Sequence, residues 1–447
     1  MAKAAWFALA GAMLAATASA QQAADTQGVN TQGANTFELN AGVRWSDNVA
    51  RVDHGSSGTA GTVGLLLLAE RKTGTLQYES NADLDYIHYF SQNFNGAVLG
   101  QFTGTASYSF VPQSFVWVTD EHFGQVTTDF FLAPGPQNRQ YLNLFSTGPD
   151  LRLRLGGAMA LRASARYGRD DYQTSPYSAN RLRGEVALER RPSEATLVSL
   201  GGSHERVQYQ QSVARPGNFD VNRYFAGYRL AGLRTTIDMQ GGYSQSSGGL
   251  AQLRGATGYV QLERRVGSSG RLDLGARRML DTVGPGSRAT DFLPGVVNQP
   301  RAEVLTGSLY FSDSADLRYH WQRPRDTLDI ALGAYRETDH RDIRPDRDAH
   351  SLGAKFSHKL TPLAEAGLYA TWSRDTLYNA IFPGFLQGDF RSTDTAYGLV
   401  FRLRFSRQLA TSADLTHTRR DSVVNPFSET ALWLRLVYAP LVTGAEQ

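Results

Sequence analysis

The feature that most constrains this chain is a period-two alternation of apolar and polar residues, carried by segments of about ten residues and repeated along nearly its whole length. Such alternation signals strands with two unlike faces. Over 75–88, Leu76, Tyr78, Ser80, Ala82, Leu84 and Tyr86 share one face, and Gln77, Glu79, Asn81, Asp83 and Asp85 the other. Leu151, Leu153 and Leu155 alternate with Arg152 and Arg154, and Met159, Leu161, Ala163, Ala165 and Tyr167 with Arg162, Ser164 and Arg166. Further along, Ala315, Leu317, Tyr319 and Trp321 oppose Asp316, Arg318, His320 and Gln322, and Tyr397, Leu399, Phe401, Leu403 and Phe405 oppose Arg402 and Arg404. Near the end, Leu432, Leu434, Leu436 and Tyr438 oppose Trp433 and Arg435.

A soluble sandwich also alternates, so the connections decide which faces meet lipid. Short turns at 71–74, 112–114, 156–158, 191–194, 266–270, 323–326, 359–362 and 406–408 alternate with longer polar loops. Those loops fall at 125–140, 171–180, 210–220, 281–300, 337–349 and 375–392. Short turns at one end and long loops at the other are the arrangement of transmembrane β-barrels, with the short turns periplasmic and the long loops extracellular. The expected fold is therefore all-β, a transmembrane antiparallel barrel of about twenty strands. Eighteen is the alternative, because 196–209 is ambiguous in phase. An even count closes the sheet without free edges, as lipid requires. Tyr86, Tyr89, Tyr167, Tyr209, Tyr224 and Tyr243 lie near strand ends and are candidates for the interfacial aromatic girdles.

Composition narrows the function classes. The chain has 447 residues and no cysteine, which excludes disulfides, thiolate metal sites and cysteine nucleophiles. The formal net charge is only +3, with both signs scattered evenly, so no nucleic-acid partner is expected. Lys3, the apolar stretch 4–16 and Ala18-Ser19-Ala20 before Gln21 read as a cleaved export signal over 1–20. A polar periplasmic segment is expected over 21–35, the barrel over 36–439 and a tail over 440–447. No apolar run reaches the ~20 residues of a spanning helix. The outer membrane of a Gram-negative bacterium is the expected location, with its lipid as a partner.

The opening strand, 37–49, ends in Trp45-Ser46-Asp47-Asn48-Val49. A Gly/Ser/Thr loop follows, then an apolar strand through Leu65 to Leu68, a basic turn at Arg71-Lys72 and a Tyr-rich strand ending at Tyr86 to Phe90. This order resembles the outer-membrane barrels of exopolysaccharide loci, the EpsL-like or β-barrel porin 2 proteins. The family commonly has paired acids before the asparagine, where this chain has Ser46-Asp47. The resemblance implies a conduit or accessory barrel for export or biosynthesis of a secreted polysaccharide, working with polysaccharide-secretion proteins. It carries over no catalytic residue.

Charged residues on the strands are expected to face a lumen, because a charge facing lipid costs several kcal/mol near the bilayer midplane. The basic lining is Arg152, Arg154, Arg162, Arg166, Arg183, Arg402, Arg404 and Arg435, and the acidic lining Glu79, Asp83 and Asp85. Rings of arginine favour anionic solutes, such as an acidic polysaccharide. Pairing of these residues to brace the lumen is the plainer reading. Phe130 and Phe131, with Phe382, Phe385 and Phe390, are apolar for loop residues and are candidates for a constriction or a stacking surface for sugar rings. Packing of one loop on another would also explain them. Asp339-His340-Arg341-Asp342 with Asp346, Asp348 and His350 lacks a recognised ligand spacing, so neither a metal nor another cofactor is expected. No His-Glu-x-x-His pair, Gly-x-Ser-x-Gly elbow or P-loop is present, and the chain reads as a non-enzyme. A general diffusion porin and a closed structural or surface-recognition barrel remain the alternative roles.

Overall fold

The alternating segments form one sheet that closes on itself. The computed structural model describes residues 35–440, apart from 91–93, 130, 212–216, 249–251, 282–308, 339–345 and 382–386. The expected leader, most of the polar segment 21–35, nearly all of the tail, Phe130, Phe382, Phe385 and the acidic stretch from Asp339 to Asp342 thus lie outside the described residues.

The first five strands are β1 (Thr36–Ser46), β2 (Gly58–Arg71), β3 (Leu76–Tyr89), β4 (Ala97–Val111) and β5 (Phe115–Val126). Next come β6 (Gln140–Gly156), β7 (Met159–Tyr172), β8 (Ala179–Ser193), β9 (Thr196–Tyr209) and β10 (Phe219–Ala231). The third quarter holds β11 (Thr235–Gly248), β12 (Arg254–Val266), β13 (Gly270–Asp281), β14 (Tyr310–Gln322) and β15 (Asp326–Thr338). The sheet finishes with β16 (Arg347–Lys359), β17 (Ala364–Ile381), β18 (Gln387–Arg404), β19 (Leu409–Ser422) and β20 (Phe427–Tyr438). Neighbours in sequence pair antiparallel, and β1 pairs with β20 from Leu39 opposite Tyr438 to Ser46 opposite Ala431. Closure leaves no sheet edge to be satisfied by lipid. The segment 196–209 is a strand of its own, β9, so the described residues form 20 strands and not 18. Connections after even-numbered strands are short, as at 112–114 and 157–158, and most of those after odd-numbered strands are longer, as at 47–57 and 127–139, although 423–426 is as short as 360–363.

Side chains that reach over an intervening strand identify the concave face. Trp433 Nε1 donates to Thr62 Oγ1 across β1 (3.0 Å), and Arg402 reaches Glu38 across β19 and β20 (2.7 Å). The Tyr369 hydroxyl bonds Thr416 Oγ1 across β18 (2.5 Å). Gly398 makes that crossing possible, since a Cβ there would sit 2.6 Å from the Tyr369 ring. The opposite face carries Leu151, Leu153 and Leu155, then Leu182 and Val186, then Leu434 and Leu436, all exposed. This outer band is what a bilayer would cover, at about 25 cal/mol for each Å² removed from water.

Two sequence expectations need correction. The stretch 375–392 is not a long loop: β17 runs to Ile381 and β18 begins at Gln387, with a bulge between Leu377 and Ala380. Its polarity reflects a hairpin standing above the apolar band, where water rather than lipid meets the strands. Tyr86, Tyr167, Tyr224 and Tyr243 do face outward and are exposed, but Tyr89 and Tyr209 do not join them. Tyr89 packs with Val49, Ala60 and Ile87, and Tyr209 packs against an apolar cluster that includes Val207 and Phe219. Both follow the inward phase of their strands.

Candidate functional site

The inner wall over β6–β10 is a ladder of ion pairs. Nearest the short turns, Arg152 stands opposite Arg162 in the register, and Arg166 opposite Arg183. Like charges placed so repel, and interleaved carboxylates relieve them. Glu189 takes Arg152 at 2.9 Å and Arg162 at 3.3 Å, and Glu185 takes Arg162 and Arg183, each at 2.6 Å. Asp150 holds Arg166 at 2.7 Å. Toward the loop end, Arg181 bridges Asp170 at 2.5 Å and Glu205 at 3.0 Å, and Glu205 also holds Arg223 at 3.2 Å. Above this rung an apolar cluster of Val207, Phe219, Val221, Leu253, Leu280 and Phe311 covers the wall.

The remaining basic positions fall elsewhere. Arg154 bonds the Gln113 side chain, Arg402 pairs with Glu38, and Arg404 is exposed beside the turn after β18. The Arg435 guanidinium lies 4.3 Å from the centre of the Trp433 ring and supplies the opposite charge felt by Asp83 and Asp85. Asp83 and Asp85 lie opposite Leu66 and Gly64, and Glu79 lies opposite Glu70. Of the basic lining, Arg152, Arg162, Arg166, Arg183 and Arg402 are thus each paired with a carboxylate. Period-two phase alone could have found Arg181, Glu185 and Glu189, which share the face of Arg183. Glu205 and Arg223 needed the register between β8, β9 and β10.

A strap crosses the mouth. The β5–β6 connection is organised by Asn138, whose amide donates to the carbonyls of Asp129 (2.7 Å), Leu132 (3.1 Å) and Ala133 (3.1 Å). Its Oδ1 accepts from the Asp129 N–H (2.7 Å). The strap then reaches the seam from both sides, where Arg420 of β19 donates to Leu132 O (2.9 Å) and Arg51, after β1, to Pro134 O (3.2 Å). Of the expected aromatic constriction, Phe131 meets Phe390 edge-on with ring centres 5.0 Å apart, over Leu377 and Ala380.

The motif at the end of β1 clasps the seam. The Asn48 amide donates to Val52 O (2.7 Å) and Ser428 O (3.0 Å), and Asp47 accepts from the Thr430 N–H (2.7 Å). Ser46 donates to Glu429 (2.7 Å), which also binds Arg51 (2.7 Å) and Arg44 (3.1 Å). Among the described residues no group of three His, Asp or Glu is placed to hold a metal ion. Asp348 is engaged instead by the Tyr378 hydroxyl (3.1 Å) and by Arg336 (3.4 Å).

A closed sheet with an apolar outside and an ion-paired inside defines the class: a transmembrane β-barrel with a polar interior. No family model matches the chain, and no curated protein matches it. Among solved structures it is similar to the siderophore receptor PirA from Pseudomonas aeruginosa, at 12% identity and a TM-score of 0.43, over 93% of this chain and 81% of that one. It is similar to the FrpB iron transporter from Neisseria meningitidis (F5-1 variant) at 8% identity and 0.43, over 90% and 81% in the apoprotein form. OccK1 (OpdK) from Pseudomonas aeruginosa matches at 12% identity and 0.39, over 91% and 98%.

Proposed function

We propose that this chain is an outer-membrane barrel of a Gram-negative bacterium that passes or handles an acidic exopolysaccharide. The observation that carries the reading is the arginine–carboxylate ladder on the inner wall of β6–β10. Charged side chains in such number belong to a water-filled interior, since each arginine would cost about 2–4 kcal/mol on the lipid face near the midplane. A guanidinium has five N–H donors, so an arginine already held by one carboxylate still has donors to offer a passing one. Several weak, similar sites in sequence suit transit better than one tight site. The polysaccharide itself is suggested by the resemblance of the opening strand to exopolysaccharide-locus barrels, and the paired wall is compatible with it.

A closed structural barrel is the second reading, favoured by the strap between β5 and β6 and the apolar clusters at the mouth. The test is reconstitution of the purified, heat-modifiable protein in planar bilayers, with and without an acidic polysaccharide. The conduit reading expects anion-selective current that the polymer blocks, with block weakened when Arg152, Arg162 and Arg166 are changed to alanine. Free flux of neutral sugars without polymer block would contradict it and indicate a general diffusion porin. A silent bilayer would contradict it in favour of the closed barrel.

A further inference from the structure

A small cavity lies under the strap at the extracellular mouth, lined in part by Arg44, Arg51, Arg139, Glu429, Tyr89 and Pro134. We infer that it is a binding site for a single oxyanion group, a carboxylate or a phosphate. Positive charge exceeds negative in this closed place. Three guanidiniums line the cavity and one carboxylate faces them. Glu429 is already shared by Arg51 and Arg44, and it is almost fully buried. Arg139 is left to donate its Nε–H to the Gly135 carbonyl (3.0 Å), which carries no charge. Asp394, which feels the Arg51 charge, is gripped by both Nε and Nη2 of Arg420.

The site is also built, not merely crowded. Arg51 adopts a left-handed backbone (φ 57°), unusual for a side chain of its size, and holds it through a turn from its N–H to the Asn48 carbonyl (3.2 Å). That strain aims its guanidinium at Glu429 and at the strap carbonyl of Pro134. Burial draws the Arg139 guanidinium down to about 10, and the Arg51 and Arg44 charges lower it further. A bound anion would remove the imbalance. Planar oxyanions suit guanidinium forks through paired, charge-assisted N–H···O bonds.

This inference does not depend on whether the barrel conducts. The experiment titrates the full mature protein in zwitterionic micelles with phosphate, D-glucuronate and D-glucose at constant ionic strength, by calorimetry. Saturable binding of phosphate and glucuronate is expected, and none of glucose. Phosphate alone would assign the site to phosphate groups, glucuronate alone to carboxylates. Arg139→Gln should weaken binding about tenfold, and Glu429→Gln, which removes the competing carboxylate, should tighten it. Arg419→Gln, on the outer face, should leave it unchanged. Absence of saturable anion binding to the unaltered protein, or equal affinity in folded Arg139→Gln, would overturn the inference. The comparison of the two anions with glucose on the unaltered protein decides the matter even where a variant does not fold. A silent bilayer with intact anion binding would defeat the conduit and leave this site standing.

Discussion

Glu429 of β20 holds Arg51, beyond the end of β1, at 2.7 Å, so the first and last strands are joined by side chains as well as by their backbone ladder. Removing one partner of a buried ion pair strands the other charge and costs about 3–5 kcal/mol, more than the pair itself contributes. Glu429→Ala leaves Arg44 and Arg51 without their shared carboxylate. We expect the temperature of the heat-modifiable electrophoretic shift to fall clearly, with phosphate restoring part of the loss. An unchanged transition would show that the seam is held by its backbone alone.

The ladder and the outer face should respond differently to the same change. Arg181→Ala strips Asp170 and Glu205 of their shared partner in a buried place, at about 3 kcal/mol. Arg419→Ala breaks a pair whose partners are 65% and 63% exposed, and such pairs are worth less than about 1 kcal/mol. Urea unfolding in lipid vesicles gives both values in one assay. Equal losses would contradict the assignment of inner and outer faces.

Much of this was legible in the amino-acid order. The alternation of Leu151, Leu153 and Leu155 with Arg152 and Arg154 sets the faces correctly, because one strand reports its own two sides. Pairing is not a property of one strand. The fact that Arg181 meets both Asp170 and Glu205 depends on the register of three strands. The strap was hidden for a similar reason: Asn138 reads as an ordinary loop polar residue until the carbonyls it gathers are placed around it. Tyr89 and Tyr209 misled because position near a strand end suggests a girdle, whereas phase decides the side. The stretch 375–392 misled because polarity reports contact with water and not the absence of a strand.

The strap offers a separable prediction. Asn138→Ala deletes the amide that gathers three carbonyls, a loss of about 1 kcal/mol for each net hydrogen bond. The barrel itself is untouched, so the heat-modifiable transition should hold while open-channel conductance in planar bilayers rises. Unchanged conductance would mean that the strap does not narrow the path.

One glycine is required by the backbone. Gly100 has φ 101°, and a Cβ there would sit 1.9 Å from the Asp83 carbonyl oxygen of the neighbouring strand. Gly100→Ala should therefore destabilise the barrel by at least about 2 kcal/mol. Urea unfolding checks it, and an alanine variant as stable as the parent would contradict the local geometry.

The central claim is that the charged face lines water and the leucine face meets lipid. The absence of cysteine makes the chain a clean background for testing it residue by residue. Arg152→Cys and Leu153→Cys lie on adjacent positions of β6 with opposite phase. In reconstituted vesicles treated with a charged, membrane-impermeant maleimide, Arg152→Cys should label quickly and Leu153→Cys should stay protected until detergent is added. Labelling of Leu153→Cys with protection of Arg152→Cys would contradict the account.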